Sequence, residues 1–577
     1  MIGARGAISD HANYEVSYTY GRTDVRNRYI NNQITDRFYA ALDAVIDPAT
    51  GQPTCRINLD PTAVPYQPYA YVRGDYGDNT SDGLYPPVTF QPGQCVPLNI
   101  LGEGSPSKAA IDWITADTVD RSRITQQVVS GSVSGDLGAM FTFPGGGALG
   151  YAFGAEYRKE TSRFIPDPLA AEGVTFTNKL AADRGEYNVK EAFGEVRLPL
   201  LQKVRFAHDL EVGGAIRFSD YSTIGSTKAW KVDGSYAPVR DITFNGTYST
   251  AVRAPNIGEL FGGASQTYEF FDDPCNSSNV NSGTSYREAN CQALLTSLGV
   301  ADPSAYFDTR TTNIPGLQSG NRDLKAETAK TWTAGVILQP QFIPGFTARL
   351  DWYDIKLKNA ISTVTAQQLA ELCVDQPSLD NQFCNAITRQ NGSTGLANAG
   401  NIIGFTLAPQ NVAQFATSGL DLNMNYRVRT ARYGNFSLNV IGNYLRKLEF
   451  IGTPGADITN SRNEAYAPKY TVNSDLTWNK GPFTVNYGLL YFSKTLRFSN
   501  LETSTNPDVT APEYVWVKPH WQHDLYASVE VQKKYTFYLG VNNLFDQKPE
   551  IGTSRYPVSS VGRFFYAGAK VRLRDLF

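Results

Sequence analysis

Apolar and polar residues alternate along most of this chain. A strand points successive side chains to opposite faces, so this period of two predicts strands with one apolar and one polar face. The clearest runs are 210–219, 346–353, 436–444, 483–491 and 525–532. The pattern recurs often enough to predict roughly 16 or 17 strands, most of them long for a soluble protein.

The last run, 562–577, has one small apolar face and one mixed, basic face, and it stops on an aromatic residue. Tyr566 and Gly568 lie on the mixed face, and Phe577 ends the chain. Soluble chains more often end in polar tails. This segment resembles the terminal strand of outer-membrane β-barrels, where it would insert during assembly. The alternative is an ordinary last strand of a soluble sandwich.

Short and long connections alternate between the predicted strands. Tight turns such as 433–435 and 479–482 suit hairpins, whereas long polar segments occupy about 45–120, 255–325, 359–410 and 499–517. Short turns on one side and long loops on the other are typical of outer-membrane barrels. We therefore expect an all-β fold over 1–577, a transmembrane antiparallel up-and-down β-barrel with long outer loops.

Residues 1–6 do not read as a signal peptide and lead into a strand at 14–20.

Composition narrows the class of protein. Charged residues make up 19% of the chain, and aromatics make up 12%, with 33 Tyr and 30 Phe, which suits rings placed at a membrane interface. No apolar run approaches the length of a membrane helix, and the mean hydropathy is −0.32. The net charge of −3 and the lack of a basic stripe argue against nucleic acid as a partner.

All six cysteines fall inside the expected long loops, two in each of three loops. Six cysteines allow 15 connectivities, and pairing within each loop is the simplest. The predicted disulfides join Cys55 to Cys95, Cys275 to Cys291, and Cys373 to Cys384, which implies an oxidising compartment. The alternative is metal binding, but there is no CxxC motif and the four histidines are scattered.

Catalytic motifs are missing from the sequence. We find no HExxH motif, no nucleophile with a nearby base in one element, and no phosphate loop. We therefore expect neither an enzyme nor a bound cofactor or metal.

Five segments in order together resemble TonB-dependent outer-membrane receptors. They are TAVRAPNIGELF at 250–261, GNRDLKAET at 320–328, LDWYDIKLKNAI at 350–361, SGLDL at 418–422 and VNNLFD at 541–546. The residues that carry the resemblance most strongly are Arg253, Pro255, Glu259, Asn321, Asp323, Leu324, Glu327, Asn542, Asn543, Phe545 and Asp546.

Each of these segments also has a simpler structural explanation. Pro255 could merely end a strand, since proline cannot donate to the ladder. Asp323 and Glu327 on either side of Lys325 could form a solvated cluster, and Asn542 and Asn543 suit a turn. We expect these residues to build the barrel rather than contact substrate.

The resemblance implies a barrel of about 22 strands around an N-terminal plug that engages TonB in the periplasm. Here the plug and the first strands are expected to be absent, so this chain alone is not expected to transport. The implied partners are outer-membrane lipid, the barrel-assembly machinery acting on the C-terminal strand, TonB only through a plug, and a small-molecule or oligosaccharide substrate. The implied location is the Gram-negative outer membrane.

The function that the resemblance implies is TonB-energised import of a scarce nutrient such as a siderophore or a glycan. Loop aromatics are the candidate substrate contacts: Tyr66, Tyr69, Tyr71, Tyr268, Phe270 and Phe271. Packing of loop against loop explains these rings equally well. Loops rich in Asn, Asp, Tyr and Gln favour sugars slightly. The alternative function is a passive pore, or a non-functional fragment.

Overall fold

The computed structural model describes residues 1–63, 88–310, 312–392, 398–452, 458–500, 503, 508, 510–550 and 561–572. Within them, one antiparallel sheet contains seventeen main strands. These are β1 Ile2–Ser9, β2 Ala12–Gln33, β5 Thr115–Asp136, β6 Gly150–Ile165, β7 Asp183–Val204, β8 Ala207–Tyr221, β9 Gly225–Val239, β10 Ile242–Arg253, β13 Glu327–Leu338, β14 Phe346–Ser362, β17 Gln410–Thr430, β18 Gly434–Ile451, β20 Tyr470–Lys480, β21 Phe483–Phe492, β24 His520–Val531, β25 Tyr535–Asn542 and β26 Phe564–Val571.

Each main strand pairs with the main strand next to it in sequence, which is the up-and-down order expected from the alternation. A two-residue strand, β19 (Thr459–Asn460), adds to β18. The predicted fold class and strand number are confirmed. The prediction was wrong at the start of the chain, where residues 2–9 form β1 and pair with β2 rather than merely leading into a strand.

The two faces of the sheet differ as the alternation requires. In one cross-strand row Phe244, Val336, Leu350 and Leu422 lie directly opposite one another. One residue further along the same strands, the row is Asn245, Gly335, Asp351 and Asp421. In a membrane barrel the apolar face meets lipid and the polar face lines the lumen.

Aromatic residues concentrate at the two ends of the apolar face. Towards one end lie Trp230, Tyr248, Trp332, Trp352, Tyr444, Tyr470, Tyr491 and Trp521, several in ring contact. Towards the other end lie Tyr236, Phe244, Phe346, Tyr426, Phe436, Trp478, Phe483 and Phe537. On β14 the separation from Phe346 to Trp352 is about 20 Å along the strand. Two such girdles are typical of a barrel that spans a bilayer.

Short connections gather at one end of the sheet, called here the turn end, and long ones at the other, the loop end. The turn end has tight turns at 10–11, 205–206, 240–241, 431–433, 481–482 and 532–534, and longer connections at 137–149 and 339–345. The loop end has one short connection at 222–224 and long segments at 34–114, 166–182, 254–326, 363–409, 452–469, 493–519 and 543–563. Three of these, 166–182, 452–469 and 543–563, were not expected. The expected loop 45–120 ends earlier than predicted because β5 begins at Thr115, and the expected loop 359–410 begins later because β14 continues to Ser362.

The long segments contain secondary structure of their own. Their strands are β3 Ala44–Ile46, β4 Pro53–Cys55, β11 Ser265–Glu269, β12 Ile314–Gln318, β15 Ile387–Arg389, β16 Ile402–Leu407, β22 Thr495–Leu496 and β23 Trp516–Val517. Their helices are α1 Thr35–Leu42, α2 Arg56–Leu59, α3 Lys108–Ile114, α4 Pro168–Glu172, α5 Ile257–Phe261, α6 Arg287–Ser297 and α7 Ala366–Val374. In the described part of the chain, no helix has both the length and the apolar character to cross a membrane.

Candidate functional site

Two loops at the loop end fold together into one unit, called here the loop head (residues 254–326 and 363–409). Its sheet runs β11–β12–β16–β15, and the parallel pairing of β12 with β16 joins the two loops. The disulfides Cys275–Cys291 and Cys373–Cys384 each close a ring within one loop. The predicted pairing is confirmed for both, and for Cys55–Cys95 in the segment 34–114.

A hydrophobic core holds the loop head together. Leu295, Leu369 and Ile402 are buried beside the disulfides. Phe271 packs edge-to-face against Phe405, with ring centroids 5.6 Å apart. Buried apolar area of this kind stabilises a fold, and the disulfides add to it by restricting the unfolded loops. The loop head is therefore a preformed domain rather than a set of independent loops.

An ion pair lies inside that core. The Arg389 guanidinium donates two hydrogen bonds to Asp273, with N–O distances of 2.6 and 2.9 Å. The two side chains are only 4% and 1% exposed. The Tyr306 hydroxyl lies 3.1 Å from Asp273 Oδ2 and 3.1 Å from Asn401 Oδ1. This network crosses the two loops and fixes one relative arrangement of them.

Burial and charge act in opposite directions on these groups. Burial alone would raise the pKa of Asp273, but the Arg389 charge and hydrogen bonds outweigh it and lower that pKa below its usual value. Burial, with the Asp273 charge beside it, raises the pKa of Tyr306. The carboxylate is therefore ionised and the phenol neutral at physiological pH.

A second cluster fixes the ends of β10 and β13, below the loop head. Arg253 donates to Glu327 at 2.7 and 2.6 Å and to Glu259 at 3.0 and 3.2 Å. Glu259 also accepts from the backbone of Asn256 and so forms a capping box at the start of α5. Glu327, whose side chain is 9% exposed, accepts a third bond from the Ile361 amide. We call Arg253, Glu259 and Glu327 the arginine knot.

Of the simple structural explanations for these motif residues, the structure agrees with the one for Pro255 and contradicts the one for Glu327. Pro255 lies two residues after Arg253, the last residue of β10, and is buried, which is compatible with a proline that stops the strand from continuing. A solvated cluster is wrong for Glu327, which is buried and bonded, whereas Asp323 is exposed.

Asn321 extends the knot to the next loop. Its backbone amide donates to Glu259 O at 2.7 Å, and its side chain donates to Pro409 O at 2.9 Å. Leu324, three residues further along, is buried. Asn411 reaches back and accepts from the Lys325 amide at 2.7 Å. These contacts tie both halves of the loop head to the strands that carry them.

The other motif residues form a turn at the end of β25. Asn543 is buried, and its side chain both accepts from the Gln547 amide and donates to Gln547 O. Asp546 accepts from the Arg563 amide, which leads into β26. Phe545 is exposed against His523, and Asn542 is the last residue of β25. The turn hypothesis agrees with this geometry.

On β26, glycine and tyrosine face each other in two reciprocal pairs. Tyr566 lies opposite Gly540, and Gly568 lies opposite Tyr538. A methyl group on Gly568 would sit 2.3 Å from the Tyr538 hydroxyl oxygen, so the ring can cover the strand only because the glycine has no side chain. Phe577 lies outside the described residues.

The candidate substrate aromatics are not gathered into one site by the described structure. Tyr66, Tyr69 and Tyr71 lie outside the described residues. Phe271 is buried in the loop head core, so it packs loop against loop. Tyr268 is half-buried in β11, opposite Pro315. Phe270 alone of the six is described and exposed, with 59% of its surface accessible.

The residues that hold the loop head together were missed by the sequence reasoning. Asp273, Tyr306 and Arg389 are far apart in the chain, and no motif joins them. Only the cysteines in the same two loops indicated that these loops are folded. Within the described ranges no group of three or more His, Cys, Asp or Glu residues could hold a metal ion.

The family model described as the TonB-dependent receptor-like β-barrel matches residues 4–544 of this chain. The chain therefore belongs to the TonB-dependent receptor β-barrel family, whose members are Gram-negative outer-membrane proteins. A search of curated proteins found no match.

Solved structures with a similar fold include the ferric enterobactin receptor PfeA from Pseudomonas aeruginosa, with a TM-score of 0.53 and 14% identity over 98% of this chain and 60% of that receptor. The siderophore receptor PirA from Acinetobacter baumannii is similar with a TM-score of 0.52 and 14% identity, again over 98% of this chain and 60% of that one. The chain thus spans about three fifths of the length of these receptors. At this identity the likeness establishes the fold and not the substrate.

Proposed function

We propose that this chain is the barrel part of an outer-membrane receptor that imports a scarce nutrient. The loop head captures the substrate outside, and the substrate then passes through the polar lumen. Energy comes from TonB acting through a plug domain within the barrel. The observation that carries this proposal is the family match over residues 4–544, together with a preformed loop head over the loop end of the same strands.

A siderophore and a glycan are the two substrate classes considered. The two structural relatives are siderophore receptors by name. In the loop head, Arg287, Arg310 and Arg389 are each paired with a carboxylate, so they offer little net charge to an anionic ferric chelate. This pairing and the amide-rich loops favour a neutral, hydroxyl-rich substrate.

Uptake by cells that carry the protein in its own gene context tests the proposal. Three labelled probes are compared, a ferric catecholate, a ferric hydroxamate and a maltooligosaccharide, in otherwise identical cells with and without TonB. We expect one probe to accumulate only when TonB is present. Equal accumulation without TonB would instead identify a passive pore and overturn the proposal.

Two exposed phenylalanines, one in the loop head and one at the turn end, allow a matched pair of variants. Phe270→Ala removes a ring from the loop head, and we expect weaker uptake of the accepted probe because rings stack on sugars and chelates. Phe342→Ala removes an even more exposed ring at the turn end, and we expect no change. Equal uptake by both variants would remove Phe270 from the binding surface.

A further inference from the structure

The side chains of four arginines on four adjacent strands have no hydrogen bond and no ion pair within 4 Å among the described residues. They are Arg26 on β2, Arg121 on β5, Arg163 on β6 and Arg184 on β7, and all are exposed. Arg26 lies directly opposite Arg121, and Arg163 lies directly opposite Arg184. We call these four residues the arginine arc.

Their neighbours on the same strands are paired. Arg22 and Arg123 both bond to Asp24, at 2.6 and 2.7 Å, and Arg28 bonds to Asp117 at 2.5 Å. Like charges directly opposite one another on adjacent strands are destabilising. The arc therefore concentrates four uncompensated positive charges within about 15 Å, the width of four strands.

The arc lies on the outward face of the sheet. Arg26 shares its strand face with the exposed Tyr18 and Tyr20, and Arg163 shares its face with Phe153 and Tyr157. These aromatic and apolar side chains belong to the lipid-facing surface. The arc does not face the lumen, so it does not lie on the import path of the proposed function.

Along the strand, the arc lies beyond the aromatic positions and towards the loop end. Arg163 is six residues past Tyr157, which is about 20 Å along the strand. Because the strands of a membrane barrel tilt by about 35–45°, the arc lies roughly 15 Å above Tyr157 along the membrane normal, level with the headgroups of the outer leaflet. The ligand that meets an outward surface there is the headgroup of a membrane lipid.

We propose that the arginine arc binds the phosphorylated saccharide headgroup of an outer-leaflet glycolipid. Guanidinium groups form bidentate, charge-assisted bonds with phosphate oxygens, and several arginines in one arc suit a headgroup with more than one phosphoryl group. The bound anion removes the repulsion between the opposed arginines. The lipid then anchors β2, β5, β6 and β7 at a fixed height in the membrane.

Binding of purified, detergent-solubilised full chain to lipopolysaccharide tests the inference. The probes are intact lipopolysaccharide, the same material with its phosphates removed, and phosphatidylglycerol as an anionic lipid without a saccharide. We expect intact lipopolysaccharide to bind about tenfold or more tightly than either of the others, because it alone presents phosphate on sugar. Equal binding of the dephosphorylated material would overturn the inference, and so would equal binding of phosphatidylglycerol.

The double variant Arg163→Gln/Arg184→Gln removes two charges of the arc, and we expect its lipopolysaccharide binding to fall by about tenfold or more. The matched control Arg240→Gln/Arg432→Gln removes two exposed charges at the turn end and should bind like the original protein. Arg26→Gln/Arg121→Gln tests the other half of the arc independently. Heat-induced mobility shift on gels shows whether each variant is folded. A folded arc variant that binds as the control does contradicts the inference.

Discussion

At the scale of single residues, one side chain connects three elements. Arg253 ends β10, and its guanidinium holds the first carboxylate of β13 and the capping glutamate of α5. A planar group with five donors can bond two carboxylates with two hydrogen bonds each, which the three donors of lysine cannot do. This explains the spacing of the motif from Arg253 to Glu259 better than a strand end alone.

Arg253→Gln should destabilise the loop end by about 1–3 kcal/mol, because Glu327 stays buried and loses two of its donors. The measurement is the protease sensitivity of the loop head in the folded barrel, which should increase. Lys108→Gln breaks an exposed pair with Asp112 on α3 and should change stability by less than about 0.5 kcal/mol. If both variants resist protease equally, the knot does not hold the loop head.

At the scale of elements, the buried pair of Asp273 and Arg389 makes the loop head sensitive to acid. The pKa of Asp273 is lower in the folded than in the unfolded state, so its stabilisation is complete above the unfolded value of about 3.9. That stabilisation is lost as the pH falls through the folded pKa. We expect the loop head to stay closed at pH 5 and to lose stability progressively as the pH falls below about 3.9.

The rate at which a phosphine reduces the buried Cys275–Cys291 disulfide reports this opening. The rate should rise steeply below about pH 4 in the original protein. Asp380→Asn changes an exposed carboxylate of the same loop head and should leave the profile unchanged. Asp273→Asn should raise the rate at neutral pH and flatten the profile, since Arg389 would remain buried beside a neutral partner. A flat profile in the original protein would contradict the role of Asp273.

The sequence predicted the elements that depend on residues close together in the chain, and it missed those that depend on distant residues. Alternation predicted the long strands because each strand face is set by residues two apart, as in Phe346, Ala348 and Leu350. The loop head was not predicted as a domain, since its sheet pairs residues of β12 and β16 that lie 89 positions apart in the chain. Cysteine positions predicted its disulfides, but nothing in the sequence placed Arg389 beside Asp273.

At the scale of the whole molecule, the structure depends on a sheet that has one face towards lipid and the other towards the aqueous lumen. Adjacent residues on β17 show this, because Leu422 belongs to the apolar row and Asn423 to the polar face. The girdles at both ends of the apolar face set the depth at which the barrel lies in the bilayer. The arginine arc adds a headgroup contact above one girdle.

Leu422→Lys places a charge on the lipid-facing side and should cost about 2–4 kcal/mol of folding free energy in lipid, because the ammonium must leave water for hydrocarbon. Asn423→Lys, one residue along the same strand, places the same charge in the polar lumen and should cost less than about 1 kcal/mol. Folding into phospholipid vesicles across a urea series measures both. Because the two variants share strand, depth and chemistry, only the face differs between them. Equal costs would contradict the assignment of lipid and lumen faces, and with it the fold's orientation in the membrane.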